Sequence, residues 1–413
     1  MNLCLSLIWY IASILIIYLA LTLTKKYRFK QLNLKRIMIS LKSKSKNSVS
    51  PLASLSTSLA AKIGVGSLSG VALAIYFGGI GTIFWIIIIS LLVSINTYYE
   101  CILGIKYRDQ EKYIGGPSYY IKKCLGNKKL SILYSILIII TYSGLFLSIQ
   151  ANTIVSITNY FHINNHLAII VLCIIVFLII LNGIGGVIKV NKLLVPIMLI
   201  FYFVLGLWVI INNYMLIPKL MINVIYEALR LKSIIPVFLI GMQRAIFISE
   251  SSLGTSAIAA SSCDNIPDSQ GLIEVLGIYI TIFIVCLITF FIITTSDYNM
   301  VNFSNINGIE LVIYAFNYHF GSLGGFILSL ITIMFAFSTI IASYFFGESN
   351  LNILSKKNII KTIFKLCFII ILIISCYIKA SILWNLFYAL DILLGIRDKL
   401  MEIYFLALIE LIF

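Results

Sequence analysis

The chain has 413 residues, of which 61% are hydrophobic and only 11% are charged, and its mean hydropathy is +1.06. No water-soluble core needs so much apolar sequence, so the composition excludes a soluble globular protein and predicts an all-α polytopic membrane protein. The formal net charge is +15, but the lysines and arginines lie in short loops between apolar runs, which indicates membrane orientation and argues against nucleic-acid binding.

The first apolar run, residues 3–24, is about as long as a bilayer requires, and its basic residues follow it. A signal peptide carries such residues in front of the apolar run, so we expect a retained transmembrane anchor over residues 1–24 with the N-terminus outside. Residues 25–50 then contain nine lysines and arginines. This density predicts a basic cytoplasmic loop.

Ten further apolar spans follow the loop, in two sets of five. Their predicted limits are 54–78, 80–105, 130–158, 167–183 and 193–216, then 236–261, 270–295, 322–352, 358–378 and 380–411. With the anchor, about 11 transmembrane helices are expected. Because each set has an odd number of spans, the second set crosses the membrane in the opposite sense, which is inverted-repeat topology. We therefore expect a first repeat over 51–217, an extracellular connector over 218–235 and a second repeat over 236–413.

The first span of each set is interrupted. In the first set, residues 64–70 read Gly-Val-Gly-Ser-Leu-Ser-Gly, and such residues weaken a helix. Unpaired backbone groups at bilayer depth are tolerated only where protein, water or a ligand satisfies them, so the break predicts a binding site. Gly66 and Gly70 also form a Gly-x-x-x-Gly pair, for which close helix packing is the alternative. Residues 244–262 repeat the pattern in the second set, and paired interruptions of this kind indicate a transporter.

Backbone groups at the first break suit an amino acid. The amides of Val65, Gly66 and Ser67 would begin the second half-helix, at the positive end of its dipole, where a carboxylate is favoured. Gln150, in the third span of the first set, is an uncharged donor and acceptor at membrane depth. It could contact the substrate, or it could only join two helices.

A monovalent cation would need oxygen ligands beside the same break. The carbonyl groups near Ala60 and Ile63 end the first half-helix, and the hydroxyls of Ser338 and Thr339 could complete the site. The alternative for these hydroxyls is a hydrogen bond back to the carbonyl one turn earlier in their own helix.

Charged residues inside predicted spans are functional candidates because burying a charge in a bilayer is costly. They are Lys62, Glu100, Arg244, Glu250, Glu274, Glu348 and Asp391. Arg244 and Glu250 bracket the second break and are predicted to form a local pair or a gate. The sequence contains no Cys-x-x-Cys, phosphate-binding loop or metal-ligand spacing, so neither an enzyme nor a cofactor beyond the coupling ion is indicated.

Five stretches carry a resemblance to a known family. They are SLAAKIGVGSLSGVALAI with GGIGTIFW, YIGGPSYYIKKCLG, SIQANTI, RAIFISESSLGTSAIAA and FAFSTIIASYFFGE, in this order. With them the chain resembles the alanine/glycine:cation symporter family, which comprises the bacterial sodium:alanine symporters with a leucine-transporter-like fold. The resemblance implies symport of a small neutral amino acid, such as alanine or glycine, by alternating access across the bacterial plasma (inner) membrane. It implies Na⁺ as the coupling ion, with H⁺ as an alternative. No obligate protein partner is evident in the sequence.

The resemblance also implies where the ligands bind, namely between the two broken helices and the third span. The implied substrate contacts are Val65, Gly66, Ser67, Gln150, Ser249, Gly254 and Ser343. The implied cation contacts are Ala60, Ile63, Ser338 and Thr339.

The chain departs from the family pattern at the site itself. The family usually reads Gly-Thr-Gly-Asn at residues 64–67, Ser-Asn-Glu-Ala-Gly at 248–252, Trp at Ser343 and Pro-Met at 117–118. Loss of the Trp is expected to enlarge the pocket or open its wall, so alanine or glycine selectivity does not simply follow. These changes motivate an alternative, a non-transporting sensor or a degenerate transporter that retains a substrate pocket. A channel is a weaker alternative, because no carboxylate ring or repeated filter sequence supports it.

Overall fold

The computed structural model describes residues 3–231, 233–298 and 308–378. In this part of the chain the regular structure is helical, apart from one isolated bridge between Asp109 and Ile114. The helices are α1 (Leu3–Lys26), α2 (Leu34–Ser40), α3 (Pro51–Lys62), α4 (Val65–Gly78), α5 (Thr82–Lys106), α6 (Pro117–Lys123), α7 (Lys128–Ile140), α8 (Leu147–Tyr160), α9 (Asn165–Leu181), α10 (Gly183–Asn212), α11 (Ile217–Leu229), α12 (Ile234–Ser249), α13 (Thr255–Ser261), α14 (Pro267–Ile280), α15 (Leu287–Thr294), α16 (Gly308–Phe320), α17 (Gly324–Leu354) and α18 (Asn358–Tyr377).

The prediction of an all-α polytopic membrane protein is confirmed. Six helical segments of the described residues are long and apolar enough to cross a membrane, and the number rises to eight if two bent helix pairs each count as one span. The total of 11 transmembrane helices, the inverted repeats and the domain limits stay predictions. The predicted last span, 380–411, and Asp391 within it lie outside the described residues.

Several helices differ from the predicted spans. The span predicted at 130–158 is formed by α7 and α8, which a π-helical turn over Thr141–Phe146 joins. A second π-helical turn, over Thr281–Cys286, joins α14 to α15. The residues between the predicted spans 167–183 and 193–216 are helical, because α10 already begins at Gly183. Val187 in this first part of α10 is buried against the core.

Helix α3 lies at the centre of the fold and is buried along almost its whole length. It packs against α10, α13, α14 and α17, whereas α4 packs against α5, α12 and α16. Glycines allow the central helices to approach closely. A Cβ atom built on Gly104 would lie 2.7 Å from the Ala257 carbonyl oxygen, and one built on Gly271 would lie 2.8 Å from the Tyr98 carbonyl oxygen. Small residues at helix contacts are typical of membrane proteins.

Residues 43–47, within the predicted basic loop, are hydrogen-bonded to the turn between α13 and α14. The Lys46 amide donates to the Asp264 carbonyl (3.0 Å), and the Asn47 side-chain amide donates to the Ser262 carbonyl (2.8 Å). The Asn265 side-chain amide donates to the Ser43 hydroxyl (2.8 Å). The loop is therefore part of the packed structure. We call the side of the molecule on which residues 25–50 lie the basic side.

Arg108 holds the same turn from the end of α5. Its side chain is 4% exposed, donates to the carbonyls of Ser261 (3.2 Å) and Cys263 (2.6 Å), and forms an ion pair with Asp264 (2.5 Å). We expect Arg108→Ala to reduce the free energy of unfolding by about 2 kcal/mol or more, because buried acceptors lose a charged donor. Thermal unfolding in detergent measures this. Lys106→Ala, at an exposed position in α5, is the control, and equal stability of the two variants would contradict the expectation.

Candidate functional site

The first predicted break is present between α3 and α4. α3 ends at Lys62 and α4 begins at Val65, and the two helices are bent by 48°. Gly64 lies between them in an extended conformation and caps α4 without a side chain. The first amides of a helix have no intrahelical acceptor, so α4 begins with donor groups at the break.

Two distant helices meet this break. The Val65 amide donates to the Gln150 side-chain oxygen of α8 (3.3 Å). A Cβ atom built on Gly64 would lie 3.2 Å from the Gln150 side-chain nitrogen and 3.1 Å from the Thr339 hydroxyl of α17. Gln150 and Thr339 are both buried. The structure thus brings together Val65, Gln150 and Thr339 at the first break.

The hydroxyls of Ser338 and Thr339 on α17 make different contacts. Thr339 donates to the Ala60 carbonyl of α3 (2.7 Å) and also to the Phe335 carbonyl one turn earlier (3.0 Å). The Ser338 hydroxyl donates to the Phe335 carbonyl within its own helix (2.9 Å). Thr339 and Ala60 therefore form a contact between α17 and the end of α3. Ile63 is the C-terminal cap of that helix, and its amide donates to the Leu59 carbonyl (2.8 Å).

The second predicted break is present between α12 and α13, which end and begin at Ser249 and Thr255. Its backbone has positive φ angles at Glu250 (48°), Ser252 (69°) and Gly254 (81°). Helix α5 supports this segment. Thr97 donates to the Ser251 hydroxyl (3.2 Å), and that hydroxyl donates to the Val93 carbonyl (2.7 Å). The irregular backbone is therefore held by side chains of a continuous helix.

Ser252 lies in a conformation that favours glycine, the residue that the family resemblance gives at this position. The left-handed conformation costs a residue with a Cβ about 1–2 kcal/mol. The Ser252 hydroxyl accepts from the Asn96 side-chain amide (3.2 Å), which offsets part of this cost. We expect Ser252→Gly to be stabilising by up to about 1 kcal/mol and Ser252→Val to be clearly destabilising. Thermal unfolding of both variants measures these changes in stability. A Val variant that is more stable than the Gly variant would show that the positive φ angle of residue 252 does not determine the stability.

The two charged residues of the second break make different contacts. Glu250 is buried and accepts hydrogen bonds from the Tyr142 hydroxyl (3.2 Å) and the Thr255 hydroxyl (2.8 Å). Arg244 lies beside α4, where a Cβ atom built on Gly70 would be 3.7 Å from one of its guanidinium nitrogens. Glu250 thus links the second break to the third span, and Arg244 links α12 to α4. A gate formed by both residues stays a prediction.

The remaining predicted contacts are engaged with nearby atoms. The hydroxyls of Ser67, Ser249 and Ser343 donate to backbone carbonyls of their own segments, those of Gly64 (2.7 Å), Ile246 (3.2 Å) and Thr339 (2.8 Å) respectively. The nearest atoms to a Cβ built on Gly254 belong to Pro117 and Tyr134, so this glycine faces α6 and α7. The substrate roles of these four residues stay predictions.

A row of aromatic rings reaches the first break and was missed in the sequence. Tyr142 and Phe146 stack with ring centroids 5.0 Å apart, and Phe146 stacks on Phe247 at 6.4 Å. A Cβ atom built on Gly66 would lie 3.3 Å from the Phe247 ring. The four-residue spacing of Tyr142, Phe146 and Gln150 would have indicated a shared helix face.

Residues 1–411 match the sodium:alanine symporter family. The chain belongs to this family. Among its relatives, the amino-acid carrier protein AlsT of Bacillus subtilis is 30% identical over 357 residues, which are 84% of this chain and 75% of AlsT. The probable sodium/glutamine symporter GlnT of the same organism is 27% identical over 387 residues, 90% of this chain and 80% of GlnT. The sodium/alanine symporter AgcS of Methanococcus maripaludis is 26% identical over 357 residues, 83% of this chain and 78% of AgcS.

Membership of the sodium:alanine symporter family indicates a membrane transporter and not an enzyme, with sodium as the coupling ion and an amino acid as the substrate. The family resemblance inferred from the sequence motifs is therefore confirmed.

Proposed function

We propose that the protein transports a small neutral amino acid together with sodium, by alternating access, across the bacterial plasma membrane. The observation that carries the proposal is the contact at the first break, where the Thr339 hydroxyl lies 2.7 Å from the Ala60 carbonyl. Gln150 binds the Val65 amide beside it. One interrupted helix thus offers donors for a carboxylate and oxygen ligands for a cation at neighbouring positions.

The substrate carboxylate would replace Gln150 as the acceptor of the Val65 amide, and the Gln150 side-chain nitrogen would then be able to donate to it. The sodium ion would lie between the Thr339 hydroxyl and the carbonyls that end α3, including Ala60 and Ile63. Because the two ligands share α3 and α4, binding of one organises the groups that bind the other. Such shared organisation is the physical basis of coupling.

The orientation in the bilayer follows from charge. The nine basic residues of segment 25–50 support a cytoplasmic position of the basic side, and the N-terminus before α1 would then lie outside. Opening toward the cytoplasm would then involve a change in the packing of α3 against α13 and α14.

Uptake by the purified protein in proteoliposomes tests the proposal. Radiolabelled alanine, glycine and glutamine are supplied with an inward sodium gradient, with equal sodium on both sides, or with a pH gradient in sodium-free buffer. We expect accumulation only with the sodium gradient. Substrate binding without accumulation would favour a sensor, and uptake driven by the pH gradient alone would favour proton coupling, with Glu250→Gln as the first variant to examine.

A further inference from the structure

A buried lysine lies one residue before the first break. Lys62 is the last residue of α3 and is 3% exposed. Its ammonium donates to the hydroxyl of Ser58 on α3 and to that of Ser256 on α13, both at 2.6 Å. The two hydroxyl oxygens are 3.2 Å apart. An ammonium group in such a place is very unfavourable unless a negative charge compensates it.

Glu274 of α14 carries a carboxyl group that can supply that charge. It is fully buried and contacts Ser54, which lies one turn before Ser58 on α3. One carboxylate oxygen accepts hydrogen bonds from Ser54 (3.3 Å) and Gln270 (3.2 Å). The other has no hydrogen-bond partner among the residues that the structure describes. Glu100 of α5 is a second fully buried carboxylate in this region.

These groups have the composition of a cation site. Two hydroxyl oxygens and a carboxylate oxygen, contributed by three helices, are ligands of the type that hard cations prefer. The Lys62 ammonium lies against the two hydroxyls, where such an ion would bind. Because it is attached to α3, it cannot leave during transport.

We propose that Lys62 is a built-in cation, whose ammonium fills a second cation site formed by Ser58, Ser256 and Glu274. The inference rests on the proposed transport function and deepens it. One positive charge at the junction of α3, α13 and α14 is supplied by the chain, so only the cation at Ala60 and Thr339 comes from solution. The expected coupling is one sodium ion for each neutral amino acid. Lys62 is a positioning residue in this scheme, since it does not contact the substrate.

Without the Lys62 side chain, uptake should require a second cation from solution. We expect the sodium dependence of uptake by Lys62→Ala to become steeper, with the Hill coefficient rising from about one toward about two. Methylammonium, added to this variant at limiting sodium, should restore uptake and raise the unfolding temperature of the purified protein without substrate. Lys123→Ala removes an ammonium that donates to the Arg108 carbonyl at 2.6 Å, and it should show neither response.

A double variant keeps the test decisive if Lys62→Ala folds poorly. Lys62→Met with Glu274→Gln removes both charges, so no uncompensated buried charge remains. We expect it to be more stable than Lys62→Ala and indifferent to methylammonium. A double variant as unstable as the single one, or a Lys62→Ala protein with unchanged sodium dependence and no stabilisation by methylammonium, would overturn the built-in cation. Absence of sodium-driven uptake by the unaltered chain would instead overturn the proposed function, and the unfolding measurement would still test the cation site.

Discussion

A leucine in place of Gly66 should reduce amino-acid uptake by at least about 30-fold, which corresponds to about 2 kcal/mol of lost binding energy. The first side-chain carbon would already lie 3.3 Å from the Phe247 ring, so a branched side chain must displace that ring or cover the start of α4. Either outcome removes the space in which a substrate would meet the exposed amides. The span stays apolar, so membrane insertion should persist. Initial uptake rates at matched protein amounts measure the effect.

Gly185 offers a matched control for this variant. It lies in α10, and among the described residues no atom beyond its chain neighbours and the backbone of its own helix lies within 4 Å of a Cβ built on it. Gly185→Leu introduces the same side chain into another membrane helix and should transport like the unaltered protein. If Gly66→Leu is well inserted and equally active, the first break is not the substrate site.

Thr339→Val should raise the sodium concentration for half-maximal uptake by about 5- to 30-fold, the equivalent of about 1–2 kcal/mol. Valine keeps the shape of the side chain but removes the hydroxyl that contacts the Ala60 carbonyl. Substrate affinity at saturating sodium should change much less, because high sodium fills the weakened site. Uptake measured over a range of sodium concentrations, at low and at high substrate, separates the two quantities.

Thr332→Val separates this effect from the loss of a bond within the helix. Thr332 lies two turns earlier in α17, is buried, and donates only to the Leu328 carbonyl (2.8 Å) in the hydrogen bonds of the described residues. Its replacement removes the same bond within the helix and leaves the hydrogen bond between Thr339 and Ala60 in place. An equal shift of the sodium dependence in both variants would mean that Thr339 acts through its own helix and not through a bound cation.

Both helix breaks could be predicted from the sequence because each combines poor helix formers with an otherwise apolar span. The glycines around Val65 and the run ending at Gly254 carry that information locally. The meeting of Val65, Gln150 and Thr339 could not be derived in this way. Val65 and Gln150 are 85 residues apart, and apolar periodicity does not specify which helices are neighbours, so only the family resemblance indicated this contact.

Other parts of the site could not be recognised from the sequence. An aromatic residue in an apolar helix ordinarily packs in the core, and nothing in the sequence distinguishes Phe247, which covers Gly66, from such a residue. Lys62 and Glu274 were each recognisable as unusual charges in predicted spans. Their shared location depends on the packing of α3 against α14, which is a property of the folded chain.

The π-helical turn between α7 and α8 determines which way Gln150 faces. Such a turn accommodates one residue more than a regular helix of the same length, and each residue of an α-helix advances by about 100° around the axis. Conversion of Thr141–Phe146 to regular α-helix, with the number of residues unchanged, would therefore rotate everything after it by about 100° relative to everything before it. Gln150 would swing away from the Val65 amide while Tyr142 kept its place beside Glu250. The π-helical geometry of this segment, and not only its composition, thus determines the direction in which Gln150 faces.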